Sequence, residues 1–555
     1  MYRLPITLAL GFLTLLGVDA LRSPSLQSAE TNSIGKVMPE DAAPLDKQHY
    51  RYLANEPTSL DITVSIYTAD GSEFLYEPLT VMDENNQILP GAAERWKVSE
   101  DGLTWTFYFR PNQRWSDGHP LTAGDFEYAL KRALDPMSGN VYPFPYYVIK
   151  NAEAYNHGEI KDADLVGIQA IDDLTLSIET ALPCPYLPLI MSYKTSVPVP
   201  EWQVEKYGNR WSLAEHNISN SSYKLVDWLP GQRLEFELNP YYDGPHKGYL
   251  ERITRLITNA EAGISTGIAP YENNEVEVIG IAPMQLPRVK ADPVLSKELY
   301  ATPTFQTWYL FFQNNTPPFD DVKVRQAIAH AIDRETITRV LLQGMGTPAH
   351  TMLPPGFPGY VGDKYRDIQA YNPKKAKQLL AEAGYPNGRG FPRVECWLRG
   401  ASRDMVAEAI QGMLSQNLGI DIKIVGQDRK VYVDNMYQYR IPMSLITFVY
   451  DYVDPHNMLG MVWHTRPKGT GRHDWSHPEF DRLVTAAASE MDLTKRMQMY
   501  DEAERILSSD AGGVFIYHGL PMQLRKPWLK GFTKDNAGYY SHRQPVTLTR
   551  LFIGK

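Results

Sequence analysis

At 555 residues the chain is too long for one ordinary hydrophobic core and implies two or three domains. Hydrophobic residues make up 43% and charged residues 22%, the balance of a soluble globular protein. The formal net charge of −10 argues against a nucleic-acid binder, which needs a basic surface.

Residues 1–20 read as a secretory signal. Arg3 is a minimal positive region, 4–18 is the apolar core, and Val18, Asp19 and Ala20 form a small-residue cleavage site. A second possible site lies at Ser28 and Ala29. The apolar run is short for a membrane span, and no cysteine comes after it to carry a lipid. Residues 21–44 are polar and turn-rich and are expected as a disordered leader. Export makes a disulfide between Cys184 and Cys396 chemically possible. With no CxxC spacing they give no metal or redox motif, and we read them as unpaired thiols.

Residues 50–54 are the first predicted strand, broken by Asn55, Glu56 and Pro57. A turn at 99–102 leads into 104–110, whose alternation predicts a half-buried strand. Thr122 caps a helix through Leu134, with Asp125 in its first turn and Pro136 behind it. In the second half, 324–342 carries a helical apolar stripe. Asn372 and Pro373 open a helix that Gly384 ends, and 402–418 is a helix stopped by Gly419. Strands are predicted at 420–425, 444–450 and 513–517, with helices at 477–491 and 493–507. Strands alternating with helices predict an α/β protein with a covered, parallel-type sheet.

The run SLITFVYDYVDPHNML, 444–459, concentrates the functional signal. An apolar strand buried on both faces ends at Asp451. That places a carboxylate past the carboxyl end of a core strand, where open α/β sheets bind ligands. The competing reading is a turn-forming Asp. Asp454 and Pro455 read as an N-cap and a first helical residue. Two other motifs are weaker. The GxSxG at 263–267 is separated from the nearest strand, so Ser265 fits a nucleophile elbow poorly. His456, His464, His473 and His477 share one segment, but Pro478 breaks the helical spacing of the last two, and solvated loop histidines are favoured over a metal site.

Longer motifs carry a resemblance. The segments 91–96 (GAAERW), 101–107 (DGLTWTF), 115–118 (WSDG) and 121–126 (LTAGDF) resemble the signature of the family 5 extracellular solute-binding proteins. The match continues at 196–200 (SVPVP), 239–242 (NPYY), 318–328 (PFDDVKVRQAI) and 381–385 (AEAGY), and spans the chain from about residue 50 to its end. The resemblance implies an α/β, two-lobed periplasmic binding protein fold (type II, cluster C). Lobe 1 would be 45–305 with an extra subdomain at about 79–200, lobe 2 would be 306–519, and 520–555 would return to lobe 1. It also implies a non-enzymatic monomer, free of cofactor and metal. Such a protein captures a peptide by hinge closure and delivers it to a membrane ABC permease. Relatives in this family also take opines, sugars and nickel complexes.

By the same resemblance Asp451 holds the peptide's α-ammonium, with Tyr452 beside it. Phe448, Val449 and Tyr450 offer backbone to an extended ligand. Tyr67 and Thr68 line the opposite wall, and Asn220 sits in a ligand loop. Two departures stand out. Ser221 replaces the usual Gly after Asn220. Leu445 and Arg429 stand where a well-known oligopeptide binder has an Arg and a Trp, so the resemblance does not carry the ligand's length or far-end chemistry over to this chain.

Overall fold

The computed structural model describes residues 30–66, 69–83, 85–258, 268–302, 304–400, 404–532 and 545–555. Two large sheets organise them. The first has seven strands, in the order Leu299–Ala301, Met522–Arg525, Val278–Ile281, His49–Ala54, Arg252–Ile257, Arg233–Leu238, Tyr223–Leu229. The second has six, in the order Gly346–Pro348, Gly513–Gly519, Gln306–Phe312, Met443–Val449, Val394–Arg399, Ile422–Gln427. A separate antiparallel four-stranded sheet, Ala93–Val98, Thr104–Phe109, Thr175–Glu179 and Ile168–Asp172, packs under the helix Ala123–Leu134. Thr122 and Asp125 close a capping box on that helix, with the Thr122 N–H donating to Asp125 Oδ2 at 2.8 Å.

The chain passes between the large sheets twice, after Ala301 and after Gly519. The crossings are tied together: Thr302 N–H and Oγ1–H both donate to Pro521 O, at 2.7 and 3.0 Å. A Cβ at Gly519 would lie 1.9 Å from Gln306 Nε2, so any larger residue there would displace the Gln306 side chain.

Four expectations change. The second sheet is mixed rather than parallel. Its only parallel pairings are those of Val394–Arg399 with Ile422–Gln427 and Met443–Val449, and Gln306–Phe312 is antiparallel to both strands it touches. Residues 30–44, expected as part of a disordered leader, form a turn bridged from Thr31 to Val37, and Ala42 bridges to Gly554. Asn32 is buried and its Nδ2–H donates to Gly248 O at 2.7 Å. The stripe at 324–342 is not one helix. Val322–Ala331 stops at Ile332, and Asp333 caps a new turn through the Thr336 N–H. Asp454 does accept the His456 N–H, but the next element is a π-type turn, His456–Gly460, and the carboxylate's main partner is an arginine.

Met443–Val449 is the pivotal strand. All seven residues pair with Gln306–Phe312 on one side. On the other side the ladder to Val394–Arg399 covers only Met443 and Ser444. Val394–Arg399 then stays with Ile422–Gln427. The carboxyl half of the pivotal strand therefore runs beside a gap in the sheet, and Asp451 lies at its end.

Candidate functional site

The gap opens into a cavity of about 190 Å³ beside the second sheet. Thr447, Phe448, Val449 and Asp451 line it from the pivotal strand, with Ile66, Tyr142, Tyr193 and Lys194 opposite. Arg399, Arg429 and Arg472 complete the wall.

Asp451 is 7% exposed. Asn457, in the turn behind it, fixes its backbone and side chain together. Asn457 Oδ1 accepts the Asp451 N–H at 2.8 Å, and Asn457 Nδ2–H donates to Asp451 Oδ2 at 3.2 Å. Two hydroxyls reach the carboxylate from the facing lobe. Tyr142 donates to Oδ2 at 2.6 Å and Tyr193 to Oδ1 at 2.8 Å. Tyr142 is aimed by Asn140, whose Oδ1 accepts its N–H, and it packs in a small buried cluster with Ile66 and Tyr193. Hydroxyl and amide donors of this kind stabilise a buried carboxylate.

Asp454, three residues on, has a different partner. Arg496 binds it through Nη1 and Nη2 at 2.5 and 2.6 Å, and both residues are buried. Arg496 Nε–H donates to Ala487 O, and its guanidinium lies 5.1 Å from the Tyr186 and Tyr500 ring centroids.

The expected site residues divide. Asp451, Phe448 and Val449 line the cavity. Tyr450 does not. Its buried ring packs edge-on against Phe305 at 5.3 Å and against Phe357. Tyr452 turns away as well. It stacks on Tyr186 of the facing lobe at 5.9 Å, and its hydroxyl meets His456 Nδ1 at 2.7 Å. Asn220 is a structural residue. Both ends of its amide are spent on the backbone of Glu77, at 2.9 Å each, and it does not line the cavity. Ser221 next to it has no positive φ, so the loop needs no glycine there. Tyr67, Thr68 and the GxSxG motif with Ser265 lie outside the described residues. Leu445 is buried in the core, whereas Arg429 faces the cavity.

The histidines are dispersed. His473 stacks on Trp463 at 4.0 Å, His477 accepts the Phe480 N–H as a helix cap, and His464 meets Thr465 O and Thr485 Oγ1. Burial, and then the nearby arginines, hold His456 neutral, with a pKa lowered to about 3. Both cysteines are free and buried. Burial pushes each thiol up to about 12, so neither is a reactive thiolate.

Sequence reasoning missed Tyr142, Tyr193, Asn457, Lys194, Arg399 and Arg472. Arg399 had a usable signal, since it ends a strand just as Asp451 lies beyond one. The others sit in loops and turns whose sequence says nothing about what they face.

The family model described as bacterial extracellular solute-binding proteins, family 5 middle, matches residues 87–470. The chain belongs to this family. It is 29% identical over 468 residues to the periplasmic oligopeptide-binding protein OppA of Salmonella typhimurium, covering 83% of this chain and 85% of that one. It is similar in structure to the murein tripeptide binding protein MppA of Escherichia coli, with a TM-score of 0.80 and 27% identity over 93% of this chain and 100% of that one. The Haemophilus influenzae OppA complex with the peptide RPPGFSPFR matches at a TM-score of 0.76 and 27% identity, over 92% and 100% of the two chains. The family is one of substrate-binding proteins, and its α/β two-lobed architecture is the one described above. No helix among the described residues is long and apolar enough to cross a membrane.

Proposed function

We propose that this family 5 protein is an exported, non-enzymatic binding protein that captures a peptide between its lobes and presents it to a membrane ABC permease. The carrying observation is Asp451: a buried carboxylate lining a cavity, met by Tyr142 and Tyr193 on one side and Asn457 on the other. A peptide's α-ammonium is the partner such a charge fits. The gap in the ladder beside Phe448 and Val449 supports strand-like pairing with the ligand backbone. The two crossings tied by Thr302 and Pro521 support hinging there, with 45–305 and 520–555 moving against 306–519. Closure then brings Tyr142 and Tyr193 onto Asp451, and a ligand touching both lobes favours the closed state.

Calorimetry on the full chain, freed of co-purified ligand by unfolding and refolding, tests this. Tripeptides with a free amino terminus should bind. Asp451→Asn should cost about 2–5 kcal/mol of binding energy, the usual loss when one partner of a desolvated charge pair is removed. N-acetylation of the peptide should cost a similar amount. Unchanged affinity in Asp451→Asn would remove the central claim.

A further inference from the structure

Two buried side chains cross between the hydrophobic cores. Tyr452, one residue past Asp451, is 1% exposed and belongs to a cluster whose other buried members, among the described residues, all lie at 43–253 and 529–553. Met82, on the short strand Thr80–Met82, is 5% exposed and belongs to a cluster whose other buried members, among the described residues, all lie at 305–515. The two crossings are close together. Val453, next to Tyr452, packs into the same cluster as Met82. Ile88, paired with Met82 across a hairpin, and Leu189 also pack against that cluster.

On the Tyr452 side the contact is a stack of rings. The Tyr186 ring lies 5.9 Å from that of Tyr452, with the planes 6° apart, and 4.7 Å from that of His456. The Arg496 guanidinium, which holds Asp454, sits 5.1 Å from the same Tyr186 ring. The whole contact is narrow. A cleft of about 800 Å³ lies beside Ile88 and Leu189, with 356–360 and Val453 across it. A second cavity, of about 320 Å³, lies beside Tyr186, between 144–186 and 456–489. The interior of a single core packs without voids of that size. The contact is therefore a seam between two bodies that each have a core of their own.

Parting this seam would bare both Tyr452 and Met82. An aromatic side chain alone buries roughly 150–250 Å². Exposing such apolar surface is unfavourable whether or not a ligand is bound. Neither side chain lines the cavity at Asp451. We propose that Tyr452 and Met82 form a latch that holds the lobes closed independently of the ligand, and so set peptide affinity without touching the peptide. This rests on the hinge reading above. Apparent affinity scales with the fraction of molecules already in the binding-competent form, so the latch raises affinity for every peptide by the same factor.

Small-angle X-ray scattering and calorimetry on the full, ligand-freed chain test this. Met82→Ala and Tyr452→Ala should each give a larger radius of gyration than the parent, and saturating Ala-Ala-Ala should bring it back. Tyr452→Phe keeps the ring and should match the parent. Both alanine variants should lose about tenfold in affinity, by the same factor for Ala-Ala-Ala and Leu-Leu-Leu. Met82 lies on a short hairpin, so Met82→Ala decides the matter alone if Tyr452→Ala does not fold. Equal radii in the ligand-freed parent and Met82→Ala would overturn the latch. A loss confined to one peptide would put these side chains in contact with the ligand and overturn it as well. A parent that binds neither tripeptide would sink the peptide reading, while the ligand-freed radii would still decide the latch.

Discussion

Asp451 and Asp454 lie three residues apart at the same depth, 7% and 5% exposed, in different electrostatic surroundings. Asp451 accepts hydrogen bonds from two tyrosine hydroxyls and an asparagine amide. Asp454 is gripped by both nitrogens of one guanidinium. The hydroxyls come from the facing lobe, whereas Arg496 belongs to the same lobe as Asp454. A counter-ion cancels a buried charge and makes it part of the structure. Asp451 lines the cavity, so its carboxylate faces the space a ligand enters, whereas Asp454 does not reach it. The same apolar strand thus feeds one carboxylate to the cleft and the next to the core.

The largest effect that would break this comparison is on stability. Asp454→Ala leaves Arg496 buried and unpaired, which typically costs about 3–5 kcal/mol. Asp451→Asn keeps the shape and an acceptor oxygen, so its unfolding free energy should stay within about 1–2 kcal/mol of the parent. Urea titrations of the two variants side by side measure this. Equal losses would erase the distinction between a structural and a functional carboxylate.

A third buried carboxylate marks another limit. Glu504 is fully buried, accepts the Leu353 N–H at 2.9 Å through Oε1, and has no hydrogen-bond partner on Oε2 among the described residues. With neither a counter-ion nor a set of donors, burial pushes its pKa up to about 8 from the ordinary 4.5. The folded state then binds a proton that the unfolded state has lost. Its contribution is fully present below about pH 4.5 and declines as pH rises towards 8, by up to about 1.4 kcal/mol per pH unit. Glu504→Gln retains the acceptor and removes the titration. Urea midpoints from pH 5 to 8 should fall in the parent and hold steadier in the variant. Parallel profiles would show that Glu504 is ionised in the fold.

Local features were legible in the sequence and long-range ones were not. The caps at Thr122, Asn372 and Gly419 depend on a few adjacent residues, and each appears where its side chain or backbone freedom places it. Asp451 was legible because the strand that delivers it is a continuous apolar run. The direction of neighbouring strands is set by pairing across distant segments, which is why the mixed sheet was not foreseen. Asn220 shows the converse. A loop amide that looks available for a ligand is consumed by the backbone of Glu77, 143 residues away. The hydroxyls on Asp451 come from 309 and 258 residues away, and no local pattern announces them.

Those hydroxyls give the smallest and sharpest test. Tyr142→Phe keeps the ring, and with it the edge-on contact to Phe144 at 5.8 Å and the packing against Ile66 and Tyr193. It removes the hydrogen bond to Asp451 Oδ2, a bond that exists when the facing lobes are together. Hydrogen bonds to charged groups contribute about 1.5–3 kcal/mol, and this one should appear in ligand affinity through the closed state. A double-mutant cycle with Asp451→Asn, read by tripeptide calorimetry, should show strong coupling between the two positions, because each change removes the same contact. The urea midpoint of Tyr142→Phe should barely move. A variant that loses stability but binds as tightly as the parent would make the Tyr142 contact part of the fold. Asp451 would then be a structural carboxylate of the same kind as Asp454.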